Sequence, residues 1–259
     1  MCETARQRLE SDRESVYGKD FIMSIQESYI FANASAIVYE YYPHGTLLDL
    51  SNDYKKEGVE ISSVIVMIIG FQIAHILRFI HKAELIHGDV KPDNFMITGP
   101  MGEGLLKDPL SRPVIKLIDW GRGIDMTKFP EGTEFRGRAG TEVFDCPEMM
   151  DGREWTYQTD LFGFIAVIYM LSVGEYISTI KTNQGKYTVT KQLKRRFGNR
   201  QMWIDIMDMI LNIKLCSDMP SWEHIGTYMA SQFRESISPD DLDCRKAIER
   251  FNKILRNNN

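Results

Sequence analysis

Residues 87–94 read His87-Gly88-Asp89-Val90-Lys91-Pro92-Asp93-Asn94. A carboxylate, an ammonium two positions on and a carboxamide three beyond that share one loop. Phosphoryl transfer calls for such a set. Asp89 can accept a proton from an attacking hydroxyl, Lys91 can neutralise charge on the transferring phosphoryl, and Asn94 can hold a metal ion through its side-chain oxygen. The competing reading is a polar structural loop, in which Asp89 and Asn94 bond nearby backbone and His87 packs in the core. The octet alone does not separate the two.

The elements that must position this loop are legible on either side of it. Ser62 or Ser63 can cap a helix running to about Lys82, with Val64, Met67, Ile68, Phe71, His75 and Leu77 among its apolar side. In that helix His75 reads as packed or half-buried, and His81 as a helix-end cation. Phe95-Met96-Ile97 follows the loop as a short strand, and Ile115-Lys116-Leu117-Ile118 is a second strand leading to Asp119. Between these strands, Gly99 to Pro113 reads as a surface insertion. Upstream, residues 3–12 have helical spacing, with Ala5 and Leu9 among charged neighbours. Residues 21–26 and 29–32 read as strand, Asn33-Ala34-Ser35 as a turn and Ala36–Glu40 as a second strand, together a hairpin. Thr46 is a candidate cap for a helix over 46–53. Downstream, an apolar helix begins near Asp160, Met202 to Ile213 has helical spacing, Ser221 can cap a helix through Phe233, and a last helix spans about Pro239 to Leu255. The basic stretch 187–197 reads as the solvated face of a helix.

Composition narrows the class. A chain of 259 residues can bury a real core as one large domain or two small ones. Its formal net charge of −5 argues against a general nucleic-acid binder. Cys2, Cys146, Cys216 and Cys244 are scattered without a CxxC pair, which reads as a reduced intracellular protein with no structural zinc site. The N-terminus is charged and polar, with no visible signal peptide. Two apolar runs bear on a membrane reading. Val64–Leu77 is interrupted by Gln72 and His75, and Leu161–Val173 is too short to span a bilayer, so both read as buried helices.

The octet resembles the catalytic loop of protein kinases, and Lys91 marks the serine/threonine type of that loop. Three more segments stand in the family's order. Asp119-Trp120-Gly121 follows a strand, as Asp-Phe-Gly does. Cys146-Pro147-Glu148 stands where Ala-Pro-Glu does, and Asp160-Leu161-Phe162-Gly163 opens an apolar helix. The resemblance implies an α+β, protein-kinase-like fold, mainly the helical C-terminal lobe with a few small-lobe strands. It implies ATP and magnesium as cofactors and a protein as substrate, with no direct nucleic-acid contact and no membrane. Asp89 and Lys91 would be catalytic. The Glu40 carbonyl and Tyr42 N–H would bond adenine at the hinge, with Tyr39 as gatekeeper. Met96 would line the ATP site, and Asn94 and Asp119 would hold magnesium on the phosphates. His87, Gly121, Glu148 and Asp160 would support the site. Gly121 would permit unusual backbone, and Asp160 would bond the catalytic-loop backbone unless it simply caps its helix. Gly140-Thr141 would line the substrate hydroxyl. Asp89 and Asp119 lie 30 positions apart, about a dozen more than many members of that family show, and the excess falls in 99–113.

Finer details resemble the mitotic spindle-checkpoint kinases of the BUB family. They are His-Gly-Asp in place of His-Arg-Asp, Gly123-Ile124-Asp125-Met126, Phe129-Pro130, Gly132-Thr133, Phe135, His44-Gly45-Thr46-Leu47-Leu48, and the pattern around Met202-Trp203 and Leu211-Asn212-Ile213. That implies a nuclear kinase acting at kinetochores on chromatin or kinetochore proteins. Two departures matter. Gly88 removes an arginine that often pairs with a phosphate in residues 122–145, so Trp120, Phe129 and Phe135 are expected to hold that segment by packing. For the charges of that segment, a solvated loop remains an even alternative. No glycine-rich loop or Val-Ala-x-Lys strand precedes the first helix, and Glu3 is only a weak candidate for that lysine's partner. The expectation is therefore a small-lobe remnant over 1–40, a hinge and large lobe over 41–259, and no activity from the chain as given. A partner-binding pseudokinase and a small-molecule phosphotransferase stay open.

Overall fold

A computed structural model describes residues 1–11, 16–138 and 142–257. Helix α1 spans Cys2–Ser11, and a 3-10 turn at Val16–Phe21 leads to strand β1, Ile25–Ile30. Strand β2, Ser35–Tyr39, returns antiparallel to β1, pairing Tyr29 with Ala36 and Ile25 with Tyr39. Of the expected strand over 21–26, only the end joins this hairpin. Ile22 instead bridges Leu117, which ties the first segment to the strand before Asp119.

The helical body begins at α2, Leu47–Lys56. Thr46 caps it with a full capping box: its hydroxyl accepts the Asp49 N–H, and the Asp49 carboxylate accepts the Thr46 N–H at 2.8 Å. Helix α3, Ser63–Lys82, is capped by Ser62. By length and composition it is apolar enough to cross a membrane, yet it runs through the middle of the fold against α5, α7 and α8. Strand β3 (Leu85–Ile86) enters the catalytic loop and β4 (Phe95–Ile97) leaves it. Strand β5 (Ile115–Leu117) pairs antiparallel with β4, and β6 (Ile124–Asp125) pairs with β3. Helices α4 (Pro147–Met150) and α5 (Gln158–Val173) follow. The side chains of α5 are buried from Gln158 to Leu171 on every side, which explains a sequence without polar stripes. A small hairpin, β7 (Thr179–Lys181) with β8 (Tyr187–Val189), precedes α6 (Arg200–Leu211), α7 (Trp222–Ser236) and α8 (Leu242–Asn257).

Three expectations change. Residues 187–197 are not a helix: Tyr187–Val189 is strand and the rest is turn, with Lys191 and Lys194 paired to Glu175 and Glu60. The 99–113 segment is not a loose surface insertion. Met101, Leu105 and Leu106 are buried, and the Asn252 side chain bonds both backbone groups of Met101 at 2.7 and 2.8 Å. Gln72, fully buried on α3, donates to the Pro109 and Arg112 carbonyls and accepts the Val114 and Ile115 N–H groups. Its side chain does for this segment what a strand partner does elsewhere. Helix α5 starts ahead of Asp160, with Tyr157 at the cap position, so Asp160 is not its cap.

Candidate active site

Asp160 lies at the base of the site with no exposure to solvent. One carboxylate oxygen accepts the Gly88 N–H at 2.8 Å; the other accepts the His87 N–H at 2.8 Å and meets His81 Nε2 at 3.0 Å. A buried carboxylate is tolerated only with such partners. It thereby fixes two consecutive backbone amides of the loop that carries Asp89.

His87 is fully buried and joins the two halves of the site. Its Nε2 donates to the Ile118 carbonyl at 2.9 Å and its Nδ1 accepts the Asp89 N–H at 3.3 Å. Burial holds its pKa down, against the opposing pull of Asp160 and the Ile118 bond, and the ring bridges Asp89 to the strand ahead of Asp119. The Ile118 N–H donates to the Asn94 carbonyl at 2.9 Å, completing the link. The loop of Asp89 and Asn94 is thus joined to Ile118, the residue before Asp119, through the His87 ring and one backbone bond.

Asp89 is almost buried, and its carboxylate takes Lys91 Nζ at 2.7 Å and Asn94 Nδ2 at 3.2 Å. Asn94 Nδ2 also donates to the Asp89 carbonyl at 2.7 Å, which leaves its side-chain oxygen for another partner. Asp119 is exposed at the other side, and its Oδ1 accepts the Gly121 N–H at 3.2 Å. Two hard oxygens and no nitrogen or sulfur ligand suit magnesium carried in on phosphates. Among the described residues no group of three His, Cys, Asp or Glu can hold a metal by itself.

The left-handed backbone in this turn falls on Asp119, at φ 57°, and not on Gly121. A non-glycine residue in that region is held there by its surroundings, here the β5 ladder on one side and Gly121 on the other. Gly88 does require glycine: its φ is 76°, and a Cβ would lie 2.7 Å from the Arg122 carbonyl oxygen. The loss of arginine at 88 does not leave Asp89 without one. Arg122 Nη1 lies 3.4 Å from Asp89 Oδ1, which no local sequence signal announces. His81 at the end of α3 is a bridge inside the fold, its two ring nitrogens meeting Asp160 and the Trp222 indole, where a solvent-facing helix end was expected.

The segment after Asp119 is largely exposed, yet several of its charges are tied in ion pairs. Arg8 on α1 forms a two-pronged pair with Asp125 at 2.8 and 3.0 Å and donates to the Ala83 carbonyl. The Arg8 hydrogen bond holds the Asp125 carboxyl below its usual pKa, against some desolvation. Arg136 pairs with Glu154, and Arg138 with Asp145 at 3.2 Å. Phe129 packs edge-on against Phe135 at 5.3 Å, and Phe135 exchanges two backbone bonds of 2.9 Å with Trp155. Trp120 packs against His87 at 5.0 Å. The expected aromatic support is therefore present at all three positions. Gly140 and Thr141 lie outside the described residues. Glu148 is buried 3.6 Å from Arg153, and desolvation raises its pKa.

At the hinge, Glu40 is exposed and Tyr42 half-buried. The Tyr42 hydroxyl donates to the Glu40 carboxylate and accepts Lys116 Nζ at 2.8 Å, which folds the ring back onto β5. Met96 alternates with buried Phe95 and Ile97 and so lies on the opposite, half-buried face of the β4–β5 pair.

Comparison with known proteins agrees with this geometry. The family model described as protein kinase domain matches residues 8–249. The mitotic checkpoint serine/threonine-protein kinase bub-1 of Caenorhabditis elegans is 36% identical over 256 residues, covering 98% of this chain and 25% of that protein. The mouse mitotic checkpoint kinase BUB1 is 34% identical over 212 residues, covering 82% of this chain and 20% of that protein. The chain thus spans a quarter or less of these two relatives' length. The crystal structure of the BubR1 kinase domain superposes with a TM-score of 0.86 at 28% identity, covering 98% of this chain and 72% of that one.

Proposed function

The chain belongs to the protein kinase family, and from that premise we propose that it is the catalytic-loop-bearing part of a serine/threonine kinase of spindle-checkpoint signalling. The single observation that carries this is the joining of the Asp89 and Asn94 loop to Ile118, the residue before Asp119, through the buried His87 ring and the Ile118–Asn94 bond. A loop built only for structure needs no such convergence. ATP is the family's phosphoryl donor, with magnesium its usual companion; bound, they supply the transferable group and neutralise its charge.

Asp89 orients the substrate hydroxyl and accepts its proton, and Lys91 balances charge beside it. The side-chain oxygens of Asn94 and Asp119 would hold magnesium. The Glu40 carbonyl and the Tyr42 N–H would bond adenine, and Tyr39 and Met96 would line its site. Gly121 and Glu148 hold the two ends of the segment on which a protein substrate rests. On this reading residues 1–40 belong to the small lobe and 41–259 to the hinge and large lobe. The substrates are serine or threonine residues of chromatin or kinetochore proteins, and the site of action is the kinetochore in the nucleus.

The 259 residues include no glycine-rich loop and no Val-Ala-x-Lys strand. Half of the phosphate clamp is therefore not among them, and since phosphoryl transfer rests on electrostatic preorganisation, these residues alone should turn over slower by several powers of ten. A second reading, an interaction module without turnover, is favoured by that same feature. Radiolabel transfer from ATP to a protein substrate decides. The 259 residues alone should show none, and a longer form carrying the loop and lysine should show transfer that Asp89→Asn abolishes with ATP binding nearly intact. Transfer by the 259 residues that Asp89→Asn eliminates would refute the first expectation. Magnesium-dependent nucleotide binding without transfer in any form would select the second reading.

A further inference from the structure

Asp160 organises the catalytic loop, but its second oxygen serves two donors, and what orients one of them lies on a different helix. His81 Nε2 is 3.0 Å from Asp160 Oδ2, and His81 Nδ1 is 2.9 Å from Trp222 Nε1. An indole nitrogen is only ever a donor. The lone pair on His81 must therefore be at Nδ1 and the hydrogen at Nε2, pointed at the carboxylate. The opposite tautomer would set two hydrogens against each other at Trp222 and two lone pairs against each other at Asp160. The imidazolium form would meet the same clash at Trp222. A residue 141 positions away from His81 thus decides which hydrogen Asp160 receives.

We propose that Trp222 is a positioning residue for the catalytic loop: its indole N–H fixes the His81 tautomer, which keeps the Asp160 carboxylate aimed at the His87 and Gly88 amides. Trp222 is held for this task. It is nearly buried at the first turn of α7, where Ser221 caps the helix by accepting the His224 N–H, and its ring meets Phe164 edge-on at 5.6 Å. Tyr157 covers the other side of the imidazole at 4.6 Å, so His81 has little room to turn. No other described residue bonds His81 Nδ1. The Arg78–Glu223 ion pair, half exposed, sits beside this chain of contacts and is not part of it.

The inference rests on Asp89 being the loop's working residue, but its test does not require turnover. Imidazole nitrogen-15 spectra of the 259-residue chain near neutral pH should show His81 as a single Nε2–H tautomer. Trp222→Phe keeps an aromatic ring against Phe164 and deletes the N–H. It should give mixed or protonated His81 signals, and hydrogen exchange at the His87 and Gly88 amides should rise about tenfold, the value of roughly one hydrogen bond. Arg78→Ala, next to the same ring but outside the chain of contacts, should leave both readouts unchanged. In a form that transfers phosphate, Trp222→Phe should lower kcat about fivefold to tenfold and leave KM for ATP nearly unchanged. An Nδ1–H or imidazolium His81 in the unaltered chain would overturn the proposal, even if the variant failed to fold. So would unchanged tautomer and exchange in a folded Trp222→Phe. Failure of transfer in every form would count against the kinase reading and leave the spectroscopic result standing.

Discussion

The catalytic loop and the β1–β2 hairpin reverse what their sequences suggest: the loop, with Val90 its one aliphatic side chain, ends largely buried, while the hairpin, richer in Ile, Val and Tyr, ends exposed. In the loop, Val90 and the side chains of His87, Asp89 and Asn94 are buried, and Asp160, Ile118 and Arg122 bond it from outside, with His81 behind Asp160. In the hairpin, β1 and β2 pair only with each other, and β2 is exposed at every position. Ile30 is 89% and Tyr41 84% exposed, where isolated apolar residues of a soluble surface would be scattered singly. A two-stranded hairpin without a covered face is marginal in water. The contrast teaches that an alternating apolar pattern marks what a strand is able to bury, not what it does bury.

Substitutions should therefore act strongly at the loop and weakly at the hairpin. The largest effect is expected at Gly163 on α5, where a Cβ would sit 2.4 Å from the Val90 Cβ and 2.5 Å from its carbonyl oxygen. Gly163→Ala should destabilise the chain by about 3 kcal/mol or more, read from denaturant unfolding. A change under 1 kcal/mol would mean that the α5–loop contact is looser than drawn.

Acid gives the next effect. Burial, and then Arg78, hold the His75 pKa down from 6.5 to about 4, partly offset by Asp108. The unfolded chain therefore binds the extra proton first. His75's contribution is whole above pH 6.5 and is lost as pH falls toward 4, by roughly 3 kcal/mol at most. His75→Phe, set between Phe21 and Phe79, should flatten stability across that window. An unchanged slope would move the titration elsewhere.

Gln72→Leu should cost about 2 kcal/mol by leaving buried backbone groups of 109–115 without partners. It should also weaken magnesium-nucleotide binding, because Ile115 begins the strand that leads to Asp119. At the hairpin, Ile37→Lys should change stability by less than about 0.5 kcal/mol. It should instead reduce concentration-dependent association of the 259-residue chain in sedimentation. A loss comparable to that of Gly163→Ala would dissolve the comparison.

Much of the site was legible early because kinase-type chemistry is written in short motifs. Asp89, Lys91 and Asn94 sit within six positions, and their mutual bonds follow from that spacing. The residues that escaped notice were those whose meaning depends on a distant partner. Arg122 has no local mark that sends it to Asp89, 33 positions earlier. Gln72 inside an apolar helix read as an interruption, and it is the anchor for a segment about 40 positions away. The Gly- and Pro-rich composition of 99–113 suggested exposure, since nothing nearby showed that Asn252 would hold Met101.

What the amino-acid sequence determined by itself was local: the order of the four motifs, the caps at Thr46, Ser62 and Ser221, and the turn that folds β1 onto β2. Each depends on bonds reaching at most a few residues, which composition and periodicity encode directly. The tertiary structure alone decided which polar groups satisfy one another in the interior. It set Asp160 against amides 72 and 73 positions back, and it chose the His81 tautomer through Trp222. It also placed Asp119, rather than Gly121, in the left-handed region. The physical reason is that a buried donor or acceptor must be paired, while its chemistry does not say with whom; only the packing of α3, α5 and α7 brings the partner within 3 Å.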